Sequence, residues 1–392
     1  MVIFFDRSTR YALYFLAASA LPAAAQVVDD GQILEPRIPG IAGVTNNVTI
    51  TQSLMAMAAN DAIFNRPSSP FVVGLAFEDE DNCGKGVWGR STIGTADLEG
   101  DTTVDGSVTL PTELEMDYYG VQLGGDYACF NGFYNGWDLA FGLTGGVNVG
   151  DTEQPVFELN GSGTGLTDTQ SSTTETDFTQ RYLGVYMVAN RGPFSADIQL
   201  RFEDAEFDIE NDPKSGFAGL GLDTEFDSTG YTLSGAASYV VPFRNSDTLA
   251  FIPAAGFAIS RTDTDDIGFE DGSRLEIGET ESNLGFIGGT IAGAQIAPDG
   301  LSATTYFGTA TIYNDFADDQ EARFVDGGTV GELEYTTLET YGELSAGVNY
   351  TRILDPGDLA NARQLNASVR ADARFGEFIE GYGLTAQVRL QF

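Results

Sequence analysis

The chain has 392 residues, with 58 acidic against 19 basic side chains, no histidine and a net charge of −39. That balance excludes nucleic-acid binding, which needs Lys and Arg against phosphate, and the missing histidine excludes Ser-His catalysis and His-ligated zinc. No uninterrupted apolar run reaches 18 residues, so no transmembrane helix is expected, although membrane strands give a weaker signal and stay open.

The N-terminus reads as a signal peptide over residues 1–25. Arg7 and Arg10 lead into the apolar stretch 11–20, and Ala23, Ala24 and Ala25 offer a small-residue cleavage site. An uncleaved anchor is the other reading. Residues 26–66 form a short lead and a helix. The lead, 26–45, is acidic and carries Pro and Gly. The helix is expected over 48–64, where Ile50, Leu54, Met57, Ala58 and Ile63 fall on one stripe, and Asn65, Arg66 and Pro67 stop it.

Residues 67–392 are strands and connections. Twelve segments are long enough to cross a bilayer, which takes roughly 9–11 residues per tilted strand: 86–97, 115–128, 137–149, 178–190, 194–203, 228–241, 248–261, 283–296, 301–313, 335–352, 364–374 and 380–392. The last is the clearest. Tyr382, Leu384, Ala386, Val388, Leu390 and Phe392 alternate without a break against Gly383, Thr385, Gln387, Arg389 and Gln391. Strict period-two alternation means one apolar and one polar face, as lipid outside and water inside a closed barrel require. The segment 364–374 repeats the pattern, with Arg370, Asp372 and Arg374 on its polar face. Segments four, eight and nine alternate less cleanly and their facing is left open. The fold class is therefore all-β, a 12-stranded antiparallel transmembrane barrel with an N-terminal helix. The apolar run 70–78 would add an odd strand and is placed inside or below the barrel.

Connection lengths orient the barrel. Those near 131–136, 190–193, 242–247, 298–300 and 354–362 are short. The intervening ones, near 98–114, 150–177, 204–227, 262–282 and 314–334, are long, polar and acidic. Short periplasmic turns and long outer loops are the outer-membrane pattern, and an even strand count leaves no open edge.

The two cysteines bear on the register. If the first two strands pair about a centre near residue 106, Cys83 stands opposite Cys129, Arg90 opposite Gln122 and Val87 opposite Gly125. Export places the thiols in an oxidising compartment, so a Cys83–Cys129 disulfide is expected, two free thiols being the alternative. The wet face predicts a lumen lined by Arg90, Gln122, Asp126, Asp197, Arg201, Arg370, Asp372, Arg374 and Arg389.

No catalytic residue, cofactor or metal ligand set is assigned. The run from Asp263 resembles a calcium loop, but Ile267 and Arg274 stand where an EF-hand needs an oxygen ligand and a Glu. Divalent cations remain expected partners of the acidic loops, without residue assignment. The loop 150–177 reads as solvated and self-repelling.

The segments Val87-Trp88-Gly89-Arg90, Tyr119-Gly120-Val121-Gln122-Leu123-Gly124-Gly125-Asp126 and Gly136-Trp137-Asp138-Leu139, the helix before the barrel and the terminal Phe392 together resemble the translocator domain of autotransporters. The resemblance covers about residues 48–392. It implies anchoring in the outer membrane, a pre-barrel helix threading the pore, and outer-membrane lipids and the barrel-assembly machinery as partners. Within the C-terminal alternation, Tyr382, Leu390 and Phe392 would be read by that machinery as an assembly signal. Some members are cut between paired asparagines, and Asn46-Asn47 lies ahead of the expected helix. No β-helix or catalytic passenger is found, so a vestigial passenger and a surface or structural role are expected. A passive small-solute channel and an adhesin acting through the acidic loops are the competing functions. The helix decides between them: in the lumen it closes the channel, and there Asn60 and Asp61 would meet the lumenal arginines.

Overall fold

The computed structural model describes residues 37–60, 83–134, 136–216, 221–244, 246, 248–317, 319–335, 338–354 and 363–392, the side chains of 53–60 and 130–134 excepted. Twelve strands form the wall: β1 (Cys83–Val104), β2 (Val108–Tyr134), β3 (Trp137–Leu159), β4 (Leu166–Arg191), β5 (Phe194–Pro213), β6 (Thr224–Tyr239), β7 (Leu249–Thr264), β8 (Gly278–Ile296), β9 (Ser302–Asp315), β10 (Thr340–Ile353), β11 (Gln364–Gly376) and β12 (Ile379–Gln391). Each pairs antiparallel with its neighbours, and β12 returns to β1, with Gly86 opposite Gln391 and Leu98 opposite Ile379. The ring is closed. Every backbone group in the hydrocarbon layer can therefore pair within the wall.

The β1–β2 register puts Cys83 opposite Cys129, Arg90 opposite Gln122 and Val87 opposite Gly125, the expected alignment. The cysteines form a disulfide, with Cα atoms 4.0 Å apart. Side-chain facing obeys the same register: Val87, Ile93, Tyr119, Leu123, Leu143, Leu183, Phe202, Leu384 and Val388 are exposed on the outside, as a lipid-facing band requires. The facing left open in sequence is now fixed. Tyr182, Tyr186, Phe286, Phe307 and Tyr313 point inward, while Leu183, Ile287 and Ile312 point out. Inward aromatics blur the polar–apolar contrast that alternation depends on.

Five wall strands do not stop at the membrane. The expected loops 98–114 and 150–177 are mostly strand, because β1 with β2 and β3 with β4 run on as tall hairpins, and β5 continues to Pro213. The connection 314–334 holds a hairpin of Gln320–Asp326 and Thr329–Tyr335, so the expected strand 335–352 begins only at Thr340. That hairpin pairs with Thr102, Thr103 and Val104 of β1 on one side and with Arg274–Glu276 on the other. Arg274–Glu276 also pairs with Ile267–Gly268, whose Gly268 carbonyl accepts from the Thr224 hydroxyl on β6 at 2.9 Å. A second closed storey thus stands on the outer end of the first.

Its chemistry is inverted. Along β1 the outward positions read Val87, Ile93, then Asp97 and Glu99, whereas the inward positions read Trp88, Arg90, then Leu98 and Val104. The parity never changes; the solvent outside does. Lipid faces the lower storey and water the upper, so the upper one has an apolar interior of Leu98, Leu110, Met116, Ile209, Leu222, Ile267, Leu275 and Leu333, all essentially buried.

Candidate functional site

The interior of both storeys is the candidate site. One helix, α1 (Ile38–Asn60), fills the upper one. It starts ten residues before the expected 48–64. Pro39, Gly40, Gly43 and a run of β-branched and Asn residues hide that start, since each is a poor helix former. Burial overrides propensity here. Residues 38–52 are all buried, and Ile41, Val44 and Val48 are fully enclosed, each contributing about 1.5–3 kcal/mol. Gly43 is required by close approach: a Cβ there would fall on the Gln154 amide of β3.

Polar groups on α1 are matched to wall threonines. Asn46 Nδ2 donates to Thr102 Oγ1 at 2.9 Å and Thr112 Oγ1 at 2.7 Å. Asn47 Nδ2 donates to Thr152 Oγ1 at 2.7 Å and Thr176 Oγ1 at 3.2 Å. Gln52 donates to Thr264 at 3.2 Å and accepts from Thr280 at 3.3 Å. The paired asparagines therefore lie within the helix, not ahead of it as expected. Arg37, at the start, pairs with Asp271 and stacks over Phe269 and Phe324 at 5.5 and 5.8 Å. Asp271 lies in the connection beyond Thr264, so α1 enters from the outer end and descends. Asp61, the side chain of Asn60 and the run 70–78 lie outside the described residues.

In the lower storey the nine residues expected to line the lumen are all inward and buried: Arg90, Gln122, Asp126, Asp197, Arg201, Arg370, Asp372, Arg374 and Arg389. Arg389 binds Asp126 with two hydrogen bonds of 2.7 Å. Tyr186 donates to the same carboxylate at 2.9 Å and accepts from Trp88 Nε1 at 2.8 Å. Arg374 reaches Glu343 at 3.3 Å and Asp372 at 3.5 Å, and Arg370 reaches Asp372 at 3.5 Å. Arg201 pairs with Glu203 at 2.8 Å and covers the Tyr182 ring at 5.0 Å. Sequence reasoning placed Trp88 on the lumen face but missed Glu203, Glu343, Tyr186 and the threonines that receive α1; the inward parity of Glu343 was the available signal.

The outer wall of the upper storey is acidic in a regular way. Glu380, Asp97, Glu115, Glu153, Glu175 and Glu210 stand directly opposite one another across six neighbouring strands. Asp117, Asp151, Asp177, Asp208 and Glu225 form a second row. Strands lie about 4.8 Å apart, so like charges repel within each row. Asp151 has its pKa raised by partial burial first, then by Asp117, Asp177 and Glu153. Glu99 is raised by partial burial, then by Glu113, Asp101 and Glu377. In the connection beyond Asp263, Asp271 accepts from the Ser273 backbone at 3.0 Å and from its hydroxyl at 2.6 Å, forming a local turn.

A closed twelve-strand wall with an apolar band, a helix in its outer lumen and both barrel ends meeting at one seam has a known counterpart. The family model for the autotransporter beta-domain matches residues 87–352. The chain belongs to that family. It is similar in fold to the translocator domain of autotransporter NalP from Neisseria meningitidis, with TM-score 0.54 at 13% identity, over 89% of this chain and 97% of that one. It is likewise similar to the transport unit of the autotransporter AIDA-I from Escherichia coli, with TM-score 0.53 at 14% identity, over 86% and 97%. No curated protein matches it in sequence. The autotransporter beta-domain is an outer-membrane barrel, and the outer membrane is where this chain resides.

Proposed function

We propose that this autotransporter-type barrel works closed, as a surface and structural protein of the outer membrane, with the segment ahead of α1 a vestigial passenger. The observation that carries the reading is the complete burial of residues 38–52 within the upper storey. A passive pore would need that space for solute. The descent of α1 from Arg37 supports delivery of the preceding segment to the outer face, where a passenger would emerge.

The chain works without catalysis in this reading, and the absence of any histidine supports it. The nine lumen-lining residues hold the wall together, and Tyr382, Leu390 and Phe392 serve as the signal for the barrel-assembly machinery. Divalent cations are the expected partners of the acidic rows, because closely spaced carboxylates gain from a shared countercharge.

Planar-bilayer conductance tests the closed state. The full mature chain conducts little, and deletion of residues 26–66 raises conductance markedly. Equal conductance of both would replace this reading with a small-solute channel. An epitope inserted at residue 30 is read by antibody on intact cells; an epitope reached only after outer-membrane disruption would overturn the proposed direction.

A further inference from the structure

The lipid-facing wall carries a groove of about 800 Å³ near the periplasmic end of β1 to β6, within the roughly 300–1,000 Å³ typical of ligand sites. Its exposed lining is mostly apolar. Val87, Leu143, Val185 and Leu200 line it, and its floor lies at Gly125, which stands in register between Val87 and Leu143. The two residues flanking Gly125 on its face of β2, Leu123 and Tyr127, are more than half exposed. A Cβ on Gly125 would meet no atom nearer than 3.4 Å, so the dent exists for lack of a side chain and not through crowding.

Lys85 sits at the periplasmic end of the groove, exposed and outward, directly opposite Tyr127. It is one of only two lysines in a chain of net charge −39. Its backbone exchanges hydrogen bonds with Phe392, the last residue, at 2.7 and 2.8 Å. The cation is thereby fixed where the two ends of the barrel meet.

We propose that this groove binds one anionic phospholipid of the inner leaflet, with an acyl chain over Gly125 and the phosphate at Lys85. The location decides the occupant: an outward apolar groove in the hydrocarbon layer is filled by a chain. A lysine at its interfacial end then favours the headgroup with excess negative charge. One lysine near the surface favours an anionic lipid by about fivefold.

The test uses the full chain in detergent micelles doped with equal phosphatidylglycerol and phosphatidylethanolamine, read by native mass spectrometry. Wild type retains one lipid, enriched about fivefold in phosphatidylglycerol. Lys85→Glu keeps the retained lipid but loses or reverses the headgroup preference. Gly125→Leu fills the groove and loses the retained lipid. Folding of each variant is checked by the heat-dependent gel shift and the intact Cys83–Cys129 disulfide. Wild type without headgroup preference, Lys85→Glu with unchanged preference, or Gly125→Leu with undiminished retention each overturns the proposal.

Discussion

Arg389 on β12 and Asp126 on β2 are joined by two hydrogen bonds of 2.7 Å across β1, the strand between them. The pair can bridge because β1 presents Gly86 there; a Cβ on Gly86 would come within 2.5 Å of Arg389 Nη2 and 2.8 Å of Asp126 Oδ1. The barrel seam is thus clamped from inside by a buried ion pair, with Tyr186, itself held by Trp88, donating to the same carboxylate. Removing one member leaves the other charge stranded, which costs about 3–5 kcal/mol. Arg389→Met is expected to lower stability by that amount in urea titrations, and the double variant Arg389→Met/Asp126→Leu recovers a large part. A double variant no better than the single one would deny the clamp its role.

The last strand makes the second prediction. Phe392 is half exposed on the lipid side, and Tyr382 and Leu390 share its face. Deleting Phe392, or replacing it by Asp, is expected to abolish outer-membrane insertion. The Asp variant keeps the backbone hydrogen bonds to Lys85 and changes only an outward side chain, so its defect lies in assembly. Normal amounts of heat-modifiable barrel from the Asp variant would refute the signal.

The acidic rows give a pH dependence whose sign is fixed. Partial burial and neighbouring carboxylates raise the folded-state pKa of Asp151 and Glu99. A raised acid pKa means that the folded state binds protons more tightly than the unfolded one. Stability is therefore gained below the unfolded value and lost as pH rises through the folded pKa. Protease resistance of the upper storey is expected to increase as pH falls from neutral towards the ordinary carboxylate range. Asp151→Asn raises resistance at pH 7.5 and flattens the profile. Resistance that falls on mild acidification would contradict the repulsion.

Much of the lower storey was legible because lipid imposes one rule on every strand. The residues from Tyr382 to Phe392 obey it without exception, and the pairing of Cys83 with Cys129 came from a single turn centre. The upper storey was not legible for a physical reason. Water surrounds it, so Asp97, Glu99, Asp151 and Glu153 point outward and make strands read as loops. Its closure rests on Ile267–Gly268 and Arg274–Glu276, too short to show any period. The first half of α1 was hidden because its Gly and Pro suit a tight tunnel and not an isolated helix. The wall threonines that receive Asn46 and Asn47 carry no local mark; only the register assembles them.

That register makes α1 a core element of the upper storey, separable from the membrane ring. The strand pairings of the lower storey involve no residue of α1, whereas Asn47 supplies Thr152 and Thr176 with their shared donor. Asn47→Ala removes both hydrogen bonds inside an enclosed space, a loss of about 1–3 kcal/mol. Gly43→Leu drives a side chain into the place held by Gln154 and costs a similar amount, about 1–3 kcal/mol, by overpacking. Both variants are expected to keep the heat-dependent gel shift of the membrane ring. In whole cells, both should expose the hairpins of β1–β2 and β3–β4 to added protease faster than wild type. A uniform loss of the gel shift would show that α1 supports the whole barrel. Unchanged cleavage rates in both variants would show that it supports neither storey.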